Sequence, residues 1–140
     1  DICTAAAFRW FADEAVDVMV IEVGLLGRWD ATNVVDAQVA VITNIGLDHM
    51  EYLGNTIADI AKTKAGIIKE QGFVVLAQQE PEAAVELLRR AAEVGADVAR
   101  EGLEYSIDSR AIAVGGQLIS ITGSLIEYFT ALSNKLKSKL

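Results

Sequence analysis

Glu22, His49 and Lys64 are the side chains of this sequence whose types and positions could support chemistry. Glu22 ends an apolar run and precedes a loop punctuated by Gly24 and Gly27. In open α/β sheets, ligands bind beyond the carboxyl ends of the strands, and carboxylate oxygen is a natural ligand for Mg²⁺. A capped strand followed by an ordinary surface turn explains the same residues, and spacing alone slightly favours that simpler interpretation.

His49 is the only histidine of the chain, and it follows a second apolar run, next to Asp48. A lone histidine is more often a hydrogen-bonded structural residue than a ligand. Its position at a strand end makes the two interpretations about equal. The sequence contains no G-x-S-x-G turn, so a Ser-His-Asp arrangement is not indicated.

Lys64 is one of three lysines in residues 61–69, and lysines on a helix usually form a solvated face. Its apolar neighbours Ala65, Ile67 and Ile68 distinguish it, because a lysine beside a low-dielectric site loses proton affinity and becomes reactive. Without other information, the solvated face is the better interpretation of this residue.

The elements that must position these side chains alternate between helix and strand. Apolar runs rich in β-branched residues at 17–21, 39–42 and 73–76 predict strands buried on both faces. A helix is predicted over residues 5–11. Thr56 with Asp59 forms a capping-box pattern for a second helix, which Gly66 is expected to end. A third begins at Pro81. This order predicts an α/β fold with a mostly parallel sheet.

The pattern changes after Asp97. Residues 97–100, 105–107, 111–114 and 118–121 read as short strands, and Gly115-Gly116 indicates a β-hairpin. From Ser124 onward, apolar residues lie close to helical spacing among lysines, which predicts an amphipathic helix. We therefore predict two parts, residues 1–123 and a tail of residues 124–140. The apolar residues of the tail are Leu125, Ile126, Phe129, Leu132 and Leu136.

Composition limits the function classes. The chain has 140 residues, which fits one domain, and 52% of them are hydrophobic against 23% charged, as in globular proteins. A net charge of −8 argues against nucleic-acid binding through a basic patch. No apolar run approaches the roughly 20 residues of a membrane span. A single cysteine, Cys3, fits a reducing, cytoplasmic setting.

Three separated segments, taken in order, resemble the folylpolyglutamate synthase and dihydrofolate synthase family of the Mur-type ligases. They are residues 20–33, 42–49 and 64–69, and weaker similarity continues to about Gly123. The resemblance implies part of the central ATPase domain of a Mur ligase, a three-layer fold around the parallel sheet. It also implies ATP and Mg²⁺ as cofactors. The family activates a carboxylate of folate or dihydropteroate as an acyl phosphate, which the amino group of glutamate attacks.

Residue roles follow from the resemblance. Glu22 matches the acid that binds Mg²⁺ beside the triphosphate, and His49 matches a ligand of a second Mg²⁺. Lys64 matches a lysine that becomes carbamylated, which turns a cation into an anionic oxygen ligand. The resemblance also implies three cofactor-binding residues, in a segment near the substrate cleft. They are Asp30, Thr32 and Asn33.

The chain also departs from the family. No G-x-x-x-x-G-K-[ST] phosphate loop is found in these 140 residues, and we expect the family's carboxy-terminal domain to be absent. Leu26 stands where many members carry glycine, and Thr63 where many carry glutamate. We therefore expect a fragment that is inactive alone. The alternative is a non-catalytic α/β binding or assembly module, with exposed sheet edges or the tail favouring a homo-oligomer.

Overall fold

The computed structural model describes residues 2–123, which form a mixed α/β structure. A three-stranded parallel sheet has the order β1-β2-β3, and a separate antiparallel hairpin follows it. The parallel sheet and the hairpin confirm the predicted fold class. The elements are α1 (Ile2–Asp13), β1 (Val39–Ile42), α2 (Met50–Leu53), α3 (Ile57–Lys64), β2 (Phe73–Leu76), α4 (Pro81–Val94), β3 (Asp97–Arg100), β4 (Tyr105–Ala113) and β5 (Gly116–Gly123).

The helices begin and end at residues whose chemistry suits those positions. Thr56 accepts a hydrogen bond from the Asp59 amide and so caps α3. Pro81 occupies the first turn of α4, where its missing N–H costs nothing, and Gly95 ends that helix with φ +64°. Gly66 does not end α3 as predicted, because a 3-10 turn (Ala65–Ile67) continues the chain past it.

The core lies between one face of the sheet and two helices. Strand residues at alternate positions point to this face and meet α3 and α4, as the period of two requires. On the opposite face Phe73 and Ala99 are buried, whereas Val41 is 63% exposed. The buried residues between the sheet and the helices are Ala40, Ile42, Val74, Leu76, Ile60, Ala61, Ala83, Leu87 and Ala91.

The strand predicted at residues 17–21 is not formed. The segment is irregular and pairs with no strand among residues 2–123, and Val18 and Val20 are 69% and 92% exposed. A β-strand is stable only when a neighbouring strand satisfies its backbone groups, and apolar β-branched residues cannot supply that partner. Glu22 therefore follows an irregular segment and not a strand.

The hairpin joins two of the predicted short strands into one. A register shift between Ile107 and Ser109 places Asp108 in a bulge, so that β4 runs unbroken to the turn before Gly116. Ile119 and Ile121 share a face with Ile107 and Ile112, and this isoleucine face is largely exposed. The tail and its predicted helix lie outside the described residues.

Candidate functional site

The loop of residues 24–34, hereafter the Asp30 loop, is organised around one carboxylate. Asp30 Oδ2 accepts hydrogen bonds from the amides of Leu25 at 2.9 Å and Leu26 at 3.3 Å. Its Oδ1 accepts from the Thr32 amide at 3.1 Å and the Thr32 hydroxyl at 2.8 Å. Burial alone would raise the pKa of Asp30, but these donors together hold it below its usual range. Asp30 is thus an ionised anchor of the loop.

The Asp30 loop packs closely against the end of α3. Gly27 has φ +59°, and a Cβ there would lie 2.7 Å from the Thr63 carbonyl oxygen and 2.9 Å from Lys64 Cα. A Cβ on Gly66 would lie 2.3 Å from Arg28 Cβ. Two glycines therefore allow the two backbones to approach more closely than any side chain would permit.

Asn33 fixes this approach with hydrogen bonds. Its Nδ2 donates to the carbonyl oxygens of Arg28, at 3.0 Å, and Gly66, at 3.2 Å. The Lys69 ammonium in turn donates to the Asn33 carbonyl oxygen at 3.0 Å. The structure therefore brings Asp30, Thr32 and Asn33 together beside the segment that carries Lys64.

Lys64 is the last residue of α3 and is half-buried. Its backbone lies under Gly27, and the next residue, Ala65, is buried in the core. Within residues 2–123, its ammonium group makes no hydrogen bond or ion pair with Glu22 or His49. The position of Lys64 is thus fixed by packing on the backbone side, and its side chain remains available.

Glu22 and His49 are both exposed. His49 follows β1, as predicted, and adopts a left-handed backbone conformation with φ +50° at the start of α2. Its Nε2 lies 3.6 Å from Asp48 Oδ2, and its amide donates to Asp48 Oδ1 at 2.7 Å. A left-handed conformation is strained for a residue other than glycine, and such strain concentrates at functional sites.

The donor chemistry of these residues suits Mg²⁺ in part. Among the described residues, no three His, Cys, Asp or Glu side chains are placed to hold a metal ion together. Mg²⁺ does not need such a cage, because it keeps several waters and binds through one or two carboxylates plus substrate phosphates. The exposed carboxylate of Glu22 fits that requirement, and an imidazole is a less typical Mg²⁺ ligand.

An apolar groove of about 400 Å³ adjoins the Asp30 loop. Its lining residues come from α1 and from two 3-10 turns of the loop, Gly27–Trp29 and Ala31–Val34, and include two aromatic rings. Arg28 stacks its guanidinium 5.2 Å from the centre of the Trp29 ring. The groove is lined by Thr4, Ala5, Phe8, Trp29, Ala31 and Val34.

One residue at the carboxyl edge of the sheet escaped the sequence analysis. Gln79, just after β2, donates from Nε2 to the Thr43 carbonyl oxygen at 2.9 Å and accepts at Oε1 from the Ile45 amide at 3.1 Å. It thereby contacts the loop of residues 43–49, hereafter the His49 loop. Its position just after a buried strand, as for His49, could have indicated it.

Comparison with known proteins identifies the family. The sequence model of the Mur ligase middle domain matches residues 2–132, so the chain belongs to the Mur ligase middle domain family. Within that class its relatives are dihydrofolate synthase/folylpolyglutamate synthases. The Mycobacterium tuberculosis protein is 48% identical over 129 residues, which are 88% of this chain and 26% of the relative. The Bacillus subtilis protein is 52% identical over 94 residues, 66% of this chain and 22% of the relative.

Solved structures agree with this assignment. The apo form of L. casei FPGS aligns with a TM-score of 0.80 at 38% identity, covering 86% of this chain and 30% of that one. An FPGS–AMPPCP–folate complex also gives 0.80, at 39% identity and the same coverage. The Mycobacterium tuberculosis enzyme complexed with ADP and AMPPCP gives 0.77 at 49% identity, covering 86% and 28%.

The chain therefore spans roughly a quarter of the length of these relatives, since it covers 26% and 22% of the two compared by sequence. In the part of the chain that the structure describes, no helix is long and apolar enough to cross a membrane.

Proposed function

We propose that this chain forms the metal- and substrate-binding part of an ATP-dependent ligase that joins glutamate to folate or dihydropteroate. The observation that supports this best is the fixed contact between the Asp30 loop and the end of α3. This contact holds the loop beside Lys64, in a family whose solved members include an AMPPCP–folate complex. We include glutamate as the second substrate because the relatives are named folylpolyglutamate synthases.

Glu22 and His49 would each bind one Mg²⁺ ion, and such ions neutralise triphosphate charge in phosphoryl transfer. Glu22 offers an exposed carboxylate, and His49 offers an imidazole whose side chain is 54% exposed. Lys64 would add an anionic ligand through reaction with carbon dioxide. The ammonium would first lose one proton to solvent. The neutral Nζ would then form a C–N bond to the carbon of carbon dioxide as one C–O π bond opens, and a second proton would leave for solvent to give an anionic carbamate.

We assign the groove beside the Asp30 loop to the ring system of a folate or dihydropteroate. Ligand sites are concave and mostly apolar, with a few polar groups that fix orientation. Phe8 and Trp29 present aromatic surface for a flat heterocycle. Asp30, Thr32 and Asn33 belong to the same loop as the lining residues Trp29, Ala31 and Val34.

Metal binding tests the roles of Glu22 and His49. Mn²⁺, used as a paramagnetic substitute for Mg²⁺, should broaden the NMR signals of both residues, and excess Mg²⁺ should restore them. Glu22→Gln and His49→Ala should each remove the broadening at their own position. Glu51→Gln, which removes another exposed acid near His49, is the matched control. Equal broadening in all variants would contradict these roles.

Folate binding tests the groove. Folate should quench the fluorescence of Trp29, and Phe8→Ser should weaken this quenching. Trp10→Phe serves as a control because Trp10 is 62% exposed and does not line the groove. Quenching that disappears with Trp10 and persists without Trp29 would argue against the groove.

The isoleucine face and the β1 edge support a second proposal, a non-catalytic module that assembles as a homo-oligomer. Ile112 is 96% exposed, and β1 pairs only with β2 among the described strands. A two-stranded hairpin with a bare apolar face needs further packing to be stable. We propose that residues 124–140, as a part distinct from residues 1–123, cover this face within the chain or across a dimer.

Sedimentation of the chain with and without residues 124–140 tests this second proposal. Deletion should cause aggregation or a change in oligomeric state. A soluble monomer with unchanged stability after deletion would refute it.

A further inference from the structure

We propose that Gln79 is a positioning residue for His49, acting by fixing the His49 loop at the carboxyl end of β1. The proposal rests on the proposed function of His49 as a metal ligand. In the described part of the chain, the Gln79 side chain makes its hydrogen bonds to Thr43 and Ile45 and none to Glu22 or Lys64, so its role is to place another residue.

The Gln79 side chain extends the pairing of β1 with β2. The last backbone bond between the strands runs from the Ala77 amide to the Ile42 carbonyl oxygen, at 3.0 Å. Beyond it the side-chain amide of Gln79 donates to the Thr43 carbonyl oxygen and accepts from the Ile45 backbone amide. A neighbouring parallel strand would make the same two hydrogen bonds with its backbone. The side chain thus supplies the hydrogen bonds that the backbone of β2 no longer provides, because the chain has turned there toward α4.

This pair of bonds requires glutamine. One donor and one acceptor must reach two backbone groups that lie two residues apart, and the side-chain amide supplies both. Glutamate lacks the donor, and asparagine is one methylene shorter. Both ends of the short link that carries Gln79 are held, because Leu76 of β2 is buried and α4 starts at Pro81.

The His49 loop has few other supports. Ile45 is buried and Leu53 of α2 is buried, but the residues between them, 46–52, are exposed. A Cβ at Gly46 would meet nothing within 4 Å, so no close packing restrains the middle of the loop. Gln79 therefore sets the direction in which the chain leaves β1 toward the left-handed His49.

A substitution of glutamine by methionine tests the role with little change in shape. In metal-free protein, Gln79→Met should speed hydrogen exchange of the Ile45 amide and shift the NMR signals of His49. Gln78→Met is the matched control, because Gln78 is exposed and bonds only through its backbone amide, to Glu101 at 3.1 Å. Unchanged Ile45 exchange in Gln79→Met would overturn the proposal.

The metal readout separates positioning from a purely structural role. Loss of a partner that orients a metal ligand typically weakens metal affinity by about 10- to 100-fold. In Gln79→Met, we expect an increase of about 10-fold in the Mn²⁺ concentration at which the His49 NMR signal loses half of its intensity. The corresponding concentration for Glu22 should not change. The thermal midpoint should stay close to that of Gln78→Met.

The outcomes distinguish this inference from the function on which it rests. Broadening of His49 that is equal in wild type, Gln78→Met and Gln79→Met would overturn the inference and leave the metal role of His49 standing. No broadening of His49 in the wild type would overturn the metal role itself, and the inference with it.

Discussion

The two loops that carry the predicted site residues are held in different ways. The Asp30 loop is fixed by its own carboxylate, by two close glycine approaches and by Asn33. The His49 loop is exposed over residues 46–49 and is tied to the sheet through Gln79. The Asp30 loop is held by many contacts. The His49 loop is positioned mainly by one side chain from a distant part of the chain, Gln79.

The largest expected effect comes from removing the anchor of the rigid loop. Asp30→Ala deletes a charged acceptor of four hydrogen bonds and leaves half-buried amides without partners. Hydrogen bonds to charged groups contribute 1.5–3 kcal/mol, so we expect a loss of about 3 kcal/mol in the free energy of unfolding. Denaturant titration measures it. Asp36→Ala, at an exposed acid nearby, should change stability by less than about 0.5 kcal/mol.

A second pair of substitutions tests whether the two loops differ in how closely they are packed. Gly66→Ala places a Cβ 2.3 Å from Arg28 Cβ and should cost about 2 kcal/mol, because the Asp30 loop must move away from α3. The matched change in the His49 loop, Gly46→Ala, meets open space and should be nearly neutral. Denaturant titration measures the free energy of unfolding of both variants. Equal losses for the two substitutions would show that the loops do not differ in packing.

A smaller effect of opposite sign is expected at His49. His49→Gly relieves a left-handed backbone conformation and should raise the free energy of unfolding by about 0.5–1 kcal/mol. The same variant should lose Mn²⁺ binding at this position. His49→Ala separates the two effects, since it removes the imidazole without relieving φ. A destabilised glycine variant would show that the loop is held more firmly than the contacts indicate.

The smallest effect is a pH dependence at Asp30. Its pKa is lower in the folded chain than its usual value of 3.8, so its stabilising contribution is complete above that value and declines as pH falls below it. The difference in unfolding free energy between wild type and Asp30→Asn should therefore shrink as pH is lowered from 5 toward 3. A difference that widens on acidification would contradict an ionised anchor. Other titrating groups cancel in the comparison.

Local sequence signals predicted much of the scaffold. Residues 39–42 and 73–76 form strands as expected, and helices begin at Thr56 and Pro81 as expected. Each of these depends on a preference of the residue itself or of close neighbours. The segment 17–21 failed because apolar, β-branched composition describes a side-chain surface and does not supply a pairing strand.

The site was predictable only as a set of residue types. Positions at strand ends drew attention to Glu22 and His49, and the family resemblance named Lys64, Asp30, Thr32 and Asn33. Asn33 bonds Gly66, which lies 33 residues further along the chain, and no local pattern reveals such a pairing. Gln79 was missed for the same reason, because its partners precede it by 36 and 34 residues.

The contacts of Asn33 also have a kinetic consequence. They join residues 33 and 36 positions apart, so they can form only after α3 has docked and the chain has turned toward β2. Closing such a loop costs entropy that is recovered late. We therefore expect changes at Asn33 to accelerate unfolding while leaving the refolding rate nearly constant.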